Sequence, residues 1–151
     1  MKNGRKVTIL VADDDEDDRM MTKDAFEEVK IVNELLFVKD GVELMDYLCR
    51  RGEYANPEVS PRPGLILLDL NMPRMDGREA LDFIKKDDNL KSIPVTIFTT
   101  SKSEEDIVRS YNLGANCFIS KPVTYAGLIN VITQLNNFWF ELVELPMKTA
   151  Q

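Results

Sequence analysis

Five short apolar runs, rich in β-branched and aliphatic residues, recur along the chain: Val7-Thr8-Ile9-Leu10-Val11, Glu34-Leu35-Leu36-Phe37-Val38, Leu65-Ile66-Leu67-Leu68, Pro94-Val95-Thr96-Ile97-Phe98 and Asn116-Cys117-Phe118-Ile119. Near-continuous apolar runs of this length suit strands buried on both faces. The stretches between them have helical spacing, as in Met21, Ala25, Phe26 and Val29, then Val42, Leu44, Met45 and Leu48, then Ala80, Leu81 and Ile84. Strand and helix therefore alternate, which predicts an α/β fold with a doubly wound parallel sheet. At 151 residues, 44% of them hydrophobic, the chain has enough material for one such core and no room for a second large domain. The segment from Gly52 to Gly64, with Pro57, Pro61 and Pro63, reads as a surface loop, ordered to floppy, rather than a domain linker.

Charge and residue usage remove several classes of function. Lys and Arg number 19 against 26 Asp and Glu, a formal charge of −7 that repels nucleic-acid phosphates and anionic membrane surfaces. No apolar run approaches the roughly 20 residues that cross a bilayer, so neither nucleic acid nor membrane is expected as a main ligand. Cys49 and Cys117 stand far apart, with no CxxC pair and no signal peptide before the first run, which points to a reducing, cytoplasmic setting. The chain has no histidine, hence no imidazole base, no imidazole metal ligand and no phosphohistidine of its own.

In a doubly wound sheet, ligands bind beyond the carboxyl ends of the strands. Asp13 and Asp14 follow the first run, within ADDDEDD; Asp69 and then Leu70-Asn71-Met72-Pro73 follow the third; Thr99, Thr100 and Ser101 follow the fourth; Lys121 and Pro122 follow the fifth. Carboxylates without nitrogen or sulfur donors suit a hard cation, above all Mg²⁺ with Mn²⁺ as a substitute. Such an ion lets Asp69 stay ionised and attack phosphorus as a carboxylate nucleophile. Thr99 is then placed to donate to one phosphoryl oxygen and Lys121 to pair with another. Asp15, Glu16, Asp17 and Asp18 have a plainer reading: cap and first turn of the first helix, where negative charge opposes the helix dipole.

The stretches ILVADDDEDD, LILLDLNMPRMDG, IPVTIFTTS and CFISKP resemble, in order, the four signatures of receiver domains of bacterial two-component response regulators. The resemblance covers roughly residues 5 to 138. It implies a flavodoxin-like receiver fold, five strands in the order 2-1-3-4-5 with five helices, and a phosphoacceptor signalling protein that catalyses only its own phosphotransfer and dephosphorylation. It further implies that Asp69 accepts phosphate from a sensor histidine kinase and that Asp13 and Asp14 hold Mg²⁺, with Asp14 the direct ligand. By the same likeness Asn71 supplies a metal-ligating carbonyl, Thr99 and Phe118 switch, Lys121 pairs with the phosphoryl group, and Lys121-Pro122 is a cis-prolyl junction. The loop from Gly52 to Gly64, Arg78-Glu79 after Asp76-Gly77, and the chain beyond Phe138 are similar to the small regulators partnered with cyanobacterial phytochromes. A receiver domain over residues 1–138 and an extension of the last helix over 139–151, without a separate output domain, are expected.

Three other readings compete. A pseudo-receiver would keep the fold as a protein-binding module without phosphate control; its sign, loss of a site residue, is missing here. Asp13-x-Asp15 resembles the start of haloacid-dehalogenase-like phosphatases, but Asp17 stands where Thr or Val is expected. Asp13, Asp15, Asp17 and Asp24 imitate a calcium loop, yet Asp18 occupies the position that needs glycine. As for the tail, Leu128, Ile132, Leu135, Trp139 and Leu142 form one helical stripe, with Val131, Phe138 and Leu145 beside it. Two stripes exceed what one domain covers, so Phe138, Trp139, Phe140 and Leu142 are expected to bury against a second copy, giving a homodimer through the fourth and fifth helix face and the tail. The alternative folds the tail back onto its own domain.

Overall fold

Each apolar run becomes a strand in the computed structural model, which describes residues 7–142, with side chains as far as Trp139. The strands are β1 (Ile9–Ala12), β2 (Leu35–Val38), β3 (Leu65–Leu68), β4 (Val95–Thr99) and β5 (Cys117–Ser120), all parallel in the order β2-β1-β3-β4-β5. Helices α1 (Glu16–Glu28), α2 (Gly41–Cys49), α3 (Gly77–Lys86), α4 (Glu104–Asn112) and α5 (Tyr125–Leu135) alternate with them, and α5 continues as a π-helix over Asn136–Leu142. This is the expected doubly wound sheet. Three strands reach one residue past their apolar runs, because Ala12 pairs with Val38 and Leu68, and Thr99 with Ser120, and so extend the ladder.

Side chains alternate across a strand, so one run feeds two cores. Leu10, Ala12, Ile66, Leu68 and Ile97 face α2 and α3, packing on Leu44, Leu48, Ala80, Leu81 and Ile84. Ile9, Val11, Leu65, Leu67 and Phe98 face the other way, onto Ala25, Phe26, Leu128, Ile132 and Leu135. All four residues of β1 and of β3 are buried, which is why those runs show no polar alternation. Each helix starts at a side-chain cap that accepts an N–H three residues on: Asp15 from Asp18, Asp40 from Glu43, Asp76 from Glu79, Ser103 from Asp106 and Thr124 from Gly127.

Three expectations need correction or sharpening. The Lys121–Pro122 peptide is trans, as are the other described peptides; the proline-lowered cost makes cis accessible, and this backbone does not use it. The 52–64 loop lies at the ordered end of its expected range. It opens with a 3₁₀ turn at Gly52–Tyr54, Ser60 is buried with its hydroxyl donating to Tyr54 O (2.8 Å), and the Tyr47 hydroxyl donates to Pro61 O (2.6 Å). Trp139, expected at an interface with a second copy, is 6% exposed and belongs to the chain's own core beside Leu135 and Phe26. Eleven residues past Leu128, it falls on nearly the same helical azimuth and follows that stripe onto the sheet. Phe138 is 47% exposed, its ring meeting the Trp139 ring edge-on at 5.2 Å. The side chains of Phe140 and Leu142 lie outside the described residues.

Candidate functional site

The sheet ladder places the chemistry. Beyond the strand ends, Asp13 N–H donates to Val38 O (3.0 Å), Asp69 N–H to Ala12 O (3.0 Å) and Lys121 N–H to Thr99 O (2.7 Å). Parallel pairing thus runs one residue further and brings side chains from three strands to one edge. The Asp69 carboxylate, nearly buried, is fixed on both oxygens. Oδ1 accepts the Thr99 hydroxyl (2.8 Å) and the Asn71 N–H (3.1 Å), and Oδ2 accepts Lys121 Nζ (2.9 Å). Behind it, α3 starts at Gly77, where a Cβ would stand 2.1 Å from Asp69 O, so only glycine allows this approach.

Lys121 Nζ also donates to Asp13 Oδ2 (2.5 Å) and Asp18 Oδ2 (3.2 Å), and it sits 6.0 Å from the centre of the Phe98 ring. Burial works against its charge, but the hydrogen bond and attraction from Asp13, with Asp69, outweigh that and raise its pKa. For Asp13, burial is the larger influence and lifts the carboxyl above its ordinary range despite Lys121. Asp13 Oδ1 takes the Asp15 N–H (3.0 Å), and Arg19 donates to Asp13 O (2.7 Å), which holds the loop from β1 into α1. Carboxylate oxygens of buried Asp13, exposed Asp14 and buried Asp69 converge: one ligand atom from each lies within 4.8 Å of the others. Three carboxylates with one ammonium leave excess negative charge, and an all-oxygen set of this size fits a hard divalent cation.

Asp13, Asp14, Asp69, Thr99 and Lys121, drawn from four distant segments, are therefore brought together, with Asn71 adjoining through its N–H. Phe118 is half-buried on β5 against the α2/α3-side core, opposite Ile97 and so on the same sheet face as Thr99. Its N–H donates to the Tyr111 hydroxyl of α4 (3.2 Å).

Two features escaped the sequence reading. Asp18, grouped there with the capping residues, reaches Lys121; helical side chains lean toward the helix N-terminus, here the site, and that lean was the available signal. After Thr99, the Ser101 hydroxyl donates to Asp106 Oδ2 (2.7 Å), while Arg78 grips Asp106 with two bonds of 3.0 and 2.8 Å. The Ser101 and Arg78 hydrogen bonds hold the Asp106 carboxyl below its usual range. Nothing in the spacing of those three residues announces their meeting.

A 2-1-3-4-5 sheet with an acidic cluster, a hydroxyl and a lysine at its carboxyl edge is a receiver architecture. The chain matches the family described as response regulator receiver domain over residues 9–133 and belongs to it. Among its relatives, response regulator Rcp1 of Synechocystis sp. is 42% identical over 144 residues, covering 95% of each chain. Among solved structures, the phosphorylated cyanobacterial phytochrome response regulator RcpA superposes with a TM-score of 0.88 at 40% identity, covering 95% of this chain and 100% of that one. The Mn²⁺-bound form of Rcp1 gives 0.84 at 40% identity, covering 93% and 99%.

Proposed function

We propose that this response regulator takes a phosphoryl group onto Asp69 in a Mg²⁺-dependent reaction and signals through a phosphorylation-dependent protein contact. The carrying observation is the set of donors on one nearly buried carboxylate: Thr99 on Oδ1 and Lys121 on Oδ2, beside Asp13 and Asp14. An Asp69 oxygen attacks phosphorus as the bond to the donor's histidine nitrogen breaks, leaving an acyl phosphate here and a free imidazole on the donor. Asp13, Asp14 and Asp69, with the Asn71 carbonyl, would hold a divalent cation, which would supply the positive charge that an entering phosphoryl group needs in an acidic pocket. Lys121 balances the remaining charge. Thr99 turns toward the new phosphoryl oxygens, and Phe118 follows on the same face. The partner is a sensor histidine kinase; likeness to Rcp1 and to the phytochrome response regulator RcpA puts a phytochrome first among candidates.

Output through the α4–β5–α5 side, including self-association, is supported by exposed apolar side chains: Val108 and Tyr111 on α4, Val123 in the turn before α5, and Phe138 beyond it. A pseudo-receiver is disfavoured because every residue needed for phosphate control is present and in reach of its partners. The deciding experiment is incubation with acetyl phosphate and Mg²⁺, followed by intact-mass measurement. One phosphoryl group is expected, absent in Asp69→Asn and in excess chelator. Phosphate incorporated equally by Asp69→Asn would overturn the assignment.

A further inference from the structure

Lys121 has three N–H donors, and three different carboxylates take them: Asp13, Asp69 and Asp18. Two of these, Asp13 and Asp69, also belong to the cation-fitting cluster; Asp18 does not. An ion entering that cluster meets an ammonium already bonded to two of its ligands. Both positive charges cannot keep the same oxygens at full strength, so Lys121 must give ground. Only one of its present partners remains uncommitted. Asp18 is on α1, its side chain about one-third exposed, and its position is set by its own N–H, which donates to the Asp15 cap (3.0 Å). Arg19, the next residue, ties the same turn to Asp13 O.

We infer that Asp18 is a positioning residue for phosphoryl transfer: it is the carboxylate that retains Lys121 when a divalent cation claims Asp13 and Asp69. Through that contact it eases entry of the ion and keeps the ammonium beside Asp69, where the phosphoryl group arrives. The inference rests on the cation and phosphoacceptor reading above. It differs from a mere cap or dipole role, because Glu16 and Asp17 share the first turn and carry the same charge, yet Asp18 is the one of the three bonded to Lys121.

Calorimetric titration of the whole chain with Mg²⁺ tests it, without any phosphoryl donor. Asp18→Asn is expected to weaken Mg²⁺ binding roughly tenfold, since it removes one negative charge and returns Lys121 to the ion's own ligands. Asp17→Asn, with the same charge change, is expected to lose less than about twofold, as exposed charges are screened. In a Lys121→Ala background, the further loss on Asp18→Asn is expected to shrink to about twofold, because the contact through which Asp18 acts is gone. Equal losses in Asp17→Asn and Asp18→Asn, or an undiminished Asp18→Asn loss without Lys121, would overturn the inference. If the unaltered chain bound no Mg²⁺, the underlying cation reading would fail instead.

Discussion

Lys121 is the residue on which the charge balance of the site turns. Without a cation its ammonium is the counter-charge for buried Asp13 and Asp69, with Asp18 as a third partner. Removing one member of a buried ion pair leaves uncompensated charge and costs about 3–5 kcal/mol. Lys121→Ala is therefore expected to destabilise the cation-free protein by about that amount. Saturating Mg²⁺ should restore part of it by neutralising the same carboxylates. Urea unfolding with and without Mg²⁺ measures both; a loss unaltered by Mg²⁺ would mean that ammonium and cation do not share the site. At this scale the sequence was most informative where the sheet fixes direction. Asp13, Asp69, Thr99 and Lys121 each sit at a strand's carboxyl end, so the apolar runs located them. Asp18 was obscured because its type and position fit a helix first turn equally well, and the length of a side chain's reach is not written in its spacing.

Among the elements, the β3–α3 connection shows how a loop is held without regular pairing. Arg74 has a left-handed backbone (φ 67°) that glycine accepts more readily, yet its guanidinium makes two bonds to Asp40, at 2.9 and 3.0 Å. Asp40 also caps α2, and Gly41 N–H donates to Met75 O (3.0 Å). One carboxylate thus joins the start of α2 to the loop that follows Asn71. Burial lifts the pKa of Asp40, but its bonds from Arg74 and from Glu43 N–H outweigh burial and leave it lowered. A carboxyl lowered on folding contributes stability above its unfolded value, about 3.9, and loses it as pH falls through the folded value. Asp40→Asn keeps a capping oxygen but not the charge. Its melting temperature is expected to lie below that of the unaltered protein at pH 7, with the gap closing below about pH 4. A gap independent of pH would assign the effect to the cap alone. The strands were legible from composition because both faces are buried. This clamp was not, since residues 40 and 74 are brought together only by the crossover.

For the whole molecule, the tail decides between a self-contained domain and one completed by a partner. Two apolar stripes at the C-terminal end suggested more surface than one copy covers. The structure divides them: Leu128, Ile132, Leu135 and Trp139 are buried in the chain's own core, while Phe138 stays exposed. Ending the chain at Asn137 would therefore remove a core residue along with any interface, so point variants separate the two roles. Trp139→Ala is expected to cost about 3–5 kcal/mol of stability. Trp139→Phe should cost much less, because the indole Nε1 is buried without a hydrogen-bond partner among the described residues and its loss forfeits none there. Phe138→Ser should leave stability within about 0.5 kcal/mol, as expected of an exposed site, and should weaken self-association. Sedimentation at micromolar concentration, with and without acetyl phosphate, reads the association. A chain that is monomeric in every condition, or a dimer indifferent to Phe138→Ser, would remove Phe138 from any interface and leave the exposed residues of α4 and α5 as the route by which the signal departs.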